Sequence, residues 1–138
     1  MNASQALVTS ALVGPGVTSS HSGATLTFYT GTMPATPETA LSGNTALGAM
    51  TYSATAFAAP TYVSPDMQMT GNFTTASLMP SVNGTCTFAR AVASNGTTVL
   101  ADYTVGIAGS GADCIVGNTA FQTGVSVDVT QVLKMPAV

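Results

Sequence analysis

Charge is almost missing from this chain, and that limits what it can fold into. Arg90 and Lys134 are its only basic side chains, and five acidic ones complete the charged set across 138 residues. Charged residues are therefore 5% of the sequence, against about 25% in ordinary soluble domains. Helix bundles and coiled coils draw their solvated faces from Glu, Lys and Arg, so both architectures are excluded. Two cations cannot track a phosphate backbone or hold an anionic membrane, so neither nucleic-acid binding nor a basic membrane anchor is expected. The polar share falls to Thr and Ser, and Thr suits strands. A surface with so little charge associates readily, which suits a chain that works inside a large assembly.

The length points to one domain spanning 1–138, with residues 1–16 as a short helix or arm. Ser4 is placed to cap a helix through Val13, and Gly14-Pro15-Gly16 ends it. The start lacks the basic segment of a secretory leader, and its apolar stretch is too short to span a bilayer. Synthesis in a cytoplasm is expected, with Cys86 and Cys114 as thiols in or near the core; a disulfide between them is the alternative, since the sequence does not show their distance.

Strand signals then recur between turns. Ala24–Thr30 alternates, with Leu26 and Phe28 opposite Thr25, Thr27 and Tyr29. Ser19–Gly23, including His21, reads as a polar loop. Gly31–Asn44 carries two prolines and reads as a long ordered loop. Leu47–Ala58 resumes strand character, Pro60 and Pro65 bracket a turn region, and Met67, Met69 and Phe73 alternate. Thr85–Ala93 and Thr97–Val105 flank Ser94-Asn95-Gly96, a strong hairpin signal. The Ala89/Ala91/Ala93 face and the Cys86/Phe88/Arg90/Val92 face of the first hairpin strand are equal candidates for the core. Asp113–Val116 reads as a short strand. Val125, Val127, Val129 and Leu133 share one face of a last strand. This spacing predicts an all-β antiparallel β-sandwich or jelly roll with a short N-terminal helix.

Chemistry has few places to reside. A triad would need His21, yet no serine lies in a Gly-x-Ser-x-Gly elbow. Asp102, Asp113 and Asp128 form no spaced metal-binding loop and read as turn and strand-end carboxylates. Gly109-Ser110-Gly111-Ala112-Asp113-Cys114 starts like a dinucleotide fingerprint but has Cys in the third glycine position and follows a hairpin. No enzyme activity, cofactor or metal is expected. The candidate protein-contact segment is the long loop, through Met33, Pro34, Thr36, Pro37, Glu38 and Leu41, because ordered loops of this length are often functional. Methionines at 33, 50, 67, 69 and 79 suit either an adaptable interface or a core.

The block TLTFYTGTMPATPETALSGNTALGAMTYSATAF resembles a pattern in small virion proteins of tailed phages and prophages. FARAVASNGTTVLADYTVG, then GAD, then GNTAFQTGVSVDVTQ, is similar to the second half of the same proteins. The resemblance spans roughly residues 20–134 and carries no catalytic signature. It implies a capsid decoration or cement protein on the virion surface, bound to the major capsid protein and self-associating as a dimer or trimer. A tail or fibre protein for host attachment is the alternative it leaves open. The alternative from another class is a small glycan-binding or hydrolytic domain, in which Asp102, Asp113 or Asp128 would converge with His21.

Overall fold

The computed structural model describes residues 1–5, 7 and 16–136. In chain order the elements are β1 (Asn2–Ala3), α1 (Gly16–Ser20), β2 (Thr25–Tyr29), β3 (Ala46–Phe57), β4 (Thr61–Val63), β5 (Asp66–Phe73) and β6 (Ser77–Leu78). There follow β7 (Gly84–Thr85), β8 (Phe88–Val92), β9 (Val99–Gly106), β10 (Cys114–Val116), β11 (Ala120–Phe121) and β12 (Val127–Pro136). The expected helix from Ser4 to Val13 lies mostly outside the described residues. Within them, Ser4 Oγ accepts a hydrogen bond from the Leu7 N–H at 3.2 Å, and the Leu7 side chain is buried in the core.

The expected antiparallel sandwich or jelly roll is wrong: the strands close into a seven-strand mixed β-barrel. The ring runs β2–β3–β5–β12–β10–β9–β8 and back to β2. Closure comes from β5, which pairs with β3 through Gly71 and Phe73 and with β12 from Asp66 to Thr70. Alternation along each strand reports its own two faces and carries nothing about which strand lies beside it, so this long-range pairing was invisible in the pattern.

Parity explains why the barrel is mixed. Strands alternating up and down cannot close a ring of odd number, so one neighbouring pair must run parallel. That pair is β9/β10, with Cys114 opposite Val105 and Ile115 opposite Gly106. Parallel neighbours usually need a crossover of about a dozen residues. Here residues 107–113 suffice, because β10 overlaps only the last turn of pairing on β9 and then continues in the same direction. The jog is tight: a Cβ on Gly106 would collide with the Ser110 side chain. Packing accounts for Gly106, while Gly109 and Gly111 stand at φ +83° and +77°, a backbone conformation that side chains disfavour. Asp113 pins the jog, accepting from the Thr104 N–H and hydroxyl at 3.1 Å each and pairing with the Met1 amino group at 2.9 Å. Above it, β1 occupies the same edge of β9, with Asn2 opposite Asp102.

Register settles which face of the hairpin is inside. Ala91 lies opposite Leu26 and Ala101, and Ala89 opposite Phe28 and Tyr103. All of these belong to the core. A narrow barrel needs small residues where large ones cross it; the alanines leave room for Tyr52, Phe57 and Tyr103. Both faces of β8 are nevertheless buried, because Phe88 and Arg90 are covered from outside. The hairpin turn matches expectation. Asn95 Oδ1 accepts from the N–H groups of Thr97 and Thr98 at 2.9 and 3.0 Å, and Gly96 takes φ +76°.

Two local readings are corrected. Between Pro60 and Pro65 the turn region holds β4, too short to show a period. Of the polar loop expected at Ser19–Gly23, Ser19 and Ser20 instead close α1, His21–Gly23 form the turn after it, and His21 is fully buried.

Candidate functional site

The arm from Gly31 to Thr45 leaves β2 and returns to β3 at the same end of the barrel. Asn44 ties its base together: Nδ2 donates to the carbonyls of Thr30 and Thr32 at 2.8 and 3.1 Å. The arm then lies along the outer wall over β8 and β9. Pro37 is buried, Met33, Pro34 and Leu41 are half-buried, and Thr36 and Glu38 are exposed. Thr36 and Thr39 share a hydroxyl–hydroxyl contact at 3.0 Å. Of the six candidate contact residues Pro37 is committed to the barrel, and the other five keep surface open to solvent.

What anchors the arm is a buried ion pair. Arg90 Nε and Nη2 donate to the two oxygens of Asp102 at 2.7 and 2.8 Å. Its Nη1 donates to the Thr39 carbonyl at 3.1 Å. The two residues face each other across β8 and β9, so the fork–carboxylate geometry follows from register. Hydrogen bonding to Asp102 raises the Arg90 pKa further. Glu38 Oε1 accepts from the Gln5 N–H at 2.7 Å, and that bond lowers the Glu38 carboxyl pKa. A cleft of about 370 Å³ remains between arm and N-terminal segment, with Arg90 at its floor and Gln5, Pro37 and Ala40 among its walls.

A second polar group lies inside the barrel. Nδ1 of His21 contacts the Val17 carbonyl at 3.0 Å and Nε2 contacts the Tyr103 hydroxyl at 2.8 Å. A carbonyl only accepts, so Nδ1 carries the hydrogen and Tyr103 O–H donates to Nε2. Tyr52 O–H donates to Gln131 Oε1 at 2.6 Å. Gln131 Nε2 is the buried side-chain polar atom left without a partner among the described residues. Tyr103 nevertheless lies close enough for the amide to bear on its titration. Burial drives the His21 imidazole down to about 4 and both tyrosines well above their ordinary value.

The carboxylates and His21 do not converge. Asp102 points to the outer wall and Asp113 to the jog, Asp128 begins β12 opposite Ser77, and His21 is in the core. Among the described residues no three of His, Cys, Asp and Glu gather to hold a metal. Cys86 and Cys114 are free buried thiols. Burial pushes Cys86 up to about 12 and Cys114 higher. Among the described residues no helix is long and apolar enough to cross a membrane.

Large exposed apolar side chains gather instead at the two ends of the barrel. At one end, Tyr62 of β4, Met67 of β5 and Met135 of β12 lie opposite one another across three strands. Tyr62 is 59% and Met135 48% exposed, with Val63 beside them. At the other end are Met79, Val82 and Val125. Their loops are braced together by Gly124 N–H to Pro80 O at 3.2 Å and Thr123 N–H to Asn83 Oδ1 at 2.7 Å. The methionines divide accordingly, Met50 in the core and Met79 on the surface. Sequence reading marked Met67 and Met79 as interface or core candidates but missed Tyr62, Val63, Val82 and Val125, since single apolar residues beside Pro and Gly have no period to reveal them. The chain matches no family model, no curated protein and no solved structure.

Proposed function

We propose that this chain is a capsid decoration or cement protein of a tailed phage, binding the outer surface of the head and bracing joints between major capsid subunits. The observation that carries the reading is the pair of apolar ends on one barrel, Tyr62/Val63/Met135 and Met79/Val82/Val125. A protein that braces a joint must hold two bodies at once, and two contact faces on a rigid spacer raise the effective concentration of the second contact. Little charge has to be desolvated when such faces dock. The sequence resemblance to small virion proteins points the same way.

The test mixes expanded capsids lacking this protein with purified chain and counts bound copies after sedimentation. The reading expects saturation at a fixed high copy number and capsids that withstand more heat. Capsids that bind none overturn it. Opposed apolar ends also suit head-to-tail stacking, so binding to purified tails or host cells in place of heads establishes the tail or fibre alternative.

A further inference from the structure

We infer that His21 is an acid-sensitive latch: its neutral imidazole holds α1 over one end of the barrel, and a second ring proton releases that end while the β-wall stays paired. Both ring nitrogens are already committed, Nδ1–H to Val17 O and Nε2 to the Tyr103 hydroxyl. A proton on Nε2 would confront the hydrogen that Tyr103 already presents. Tyr103 would have to turn its hydrogen away, and its neighbour Gln131 already accepts one bond, from Tyr52, at Oε1. The rest of the cage is aromatic: the rings of Tyr52 and Phe57 stand nearly perpendicular to the imidazole at centroid distances of 5.2 Å each.

Among the described residues no anion is positioned to compensate the charge. The groups around this core face are Tyr52 and Phe57 from β3, Tyr103 from β9, Cys114 from β10 and Gln131 from β12, all neutral at and below pH 7. Asp102, next to Tyr103 in sequence, faces the opposite side of β9 and is bound to Arg90. Asp113 is held at the jog by Thr104 and the Met1 amino group. Residues 6–15 contain no titratable side chain. A buried, unpaired imidazolium is costly, and the chain escapes it by bringing His21 to water.

The wall need not open for this. His21 joins a helix of five residues to β2, and its backbone ties are short: its N–H to Val17 O at 3.1 Å and its carbonyl to Ala24 N–H at 2.9 Å. Small units with few ties open at lower free energy than ladder strands. The sign follows from the depressed imidazole, at about 4 against 6.5. The closed state is fully favoured above pH 6.5 and loses ground as pH falls towards 4, and the opening constant rises on the order of 100-fold between pH 7 and pH 4.

Hydrogen exchange, corrected for intrinsic rates, would follow the His21 and Ala24 amides beside those of β8 and β9 across that range. The latch expects protection at His21 and Ala24 to fall about 100-fold while β8 and β9 keep theirs, and a flat response in His21→Gln. Loss in step across all these amides, or the same acid response in His21→Gln, overturns it. Should His21→Gln not fold, NMR titration of the wild-type imidazole decides: a midpoint near 6.5 with α1 docked overturns the latch, and one near 4 with the β8 and β9 amides still protected supports it.

Discussion

β8 and β5 stand across the barrel from each other and live in opposite surroundings. On β8, Phe88, Ala89, Arg90 and Ala91 are all buried, because the interior takes one face and the arm over Arg90 takes the other. On β5 no residue is fully buried, and its first half, paired with β12 on one side, carries on the other only the short strand β4, whose far edge has no partner among the described residues. One wall is closed by its own chain. The other projects apolar side chains beyond the barrel end. The barrel thus has one sealed side and one side with apolar groups open to solvent, and each responds to a different kind of change.

The largest effect is expected on the covered side. Asp102→Ala leaves the Arg90 guanidinium buried without its carboxylate, and removing one member of a buried pair costs about 3–5 kcal/mol. Urea unfolding measures it. The double variant Arg90→Met/Asp102→Leu should recover most of the loss, since apolar replacement of a whole buried pair is often close to neutral. If Asp102→Ala unfolds at the wild-type midpoint, the arm does not seal the wall and the contrast with β5 collapses.

The covered side was partly legible. Alternation placed Leu26 and Phe28 on one face of β2, and Asn95-Gly96 fixed the hairpin, because both signals are local. Arg90 and Asp102 fall opposite each other only once the hairpin register is set, and nothing in the arm announced that Thr39 would receive the guanidinium. Closure was illegible for a different reason. Gly71 and Phe73 meet β3 while Asp66 to Thr70 meet β12, and period-two patterning is the same whichever neighbour a strand takes. His21 was misread because α1 is one turn long and its apolar content is a single valine. Tyr62 and Val63 were missed because they lie between two prolines.

Acid tests the interior between the two walls. A group whose folded pKa is depressed stabilises the fold above its unfolded value and ceases to as pH falls through the window. For His21 that window runs from 6.5 down to about 4, and full protonation costs about 3 kcal/mol of stability. Urea midpoints at pH 7, 5.5 and 4 should decline in that order for the wild type and decline less in His21→Gln. Local release of α1 makes the global loss smaller than this value, so a shallow decline in unfolding together with strong loss of His21 amide protection sharpens the latch reading.

A smaller effect probes the inner face of β5. A Cβ on Gly71 would lie 2.9 Å from Gln131 Oε1 and 3.3 Å from its Cβ. Gly71→Ala must therefore push the amide off the Tyr52 hydroxyl, and overpacking of this kind costs about 1–3 kcal/mol. The thermal midpoint reads it. An unchanged midpoint would mean that the inner face of β5 is as loose as its outer face is open, and the two walls would differ in packing as well as in cover.

The smallest effect on stability is expected where the largest effect on binding should appear. Tyr62→Ser and Met135→Ser remove exposed side chains that face each other across Met67. Surface changes away from packed or paired groups stay within about 0.5 kcal/mol, so the double variant should unfold at the wild-type midpoint. Its binding to capsids should nevertheless fall at least tenfold, because aromatic and methionine side chains at the centre of a contact carry a disproportionate share of its energy. Val125→Ser at the opposite end should weaken binding on its own if both ends are engaged at once. A double variant that binds as the wild type does would move the contact to the arm-covered wall, where Met33 and Leu41 stand half-buried, and would reverse the part each side plays in binding.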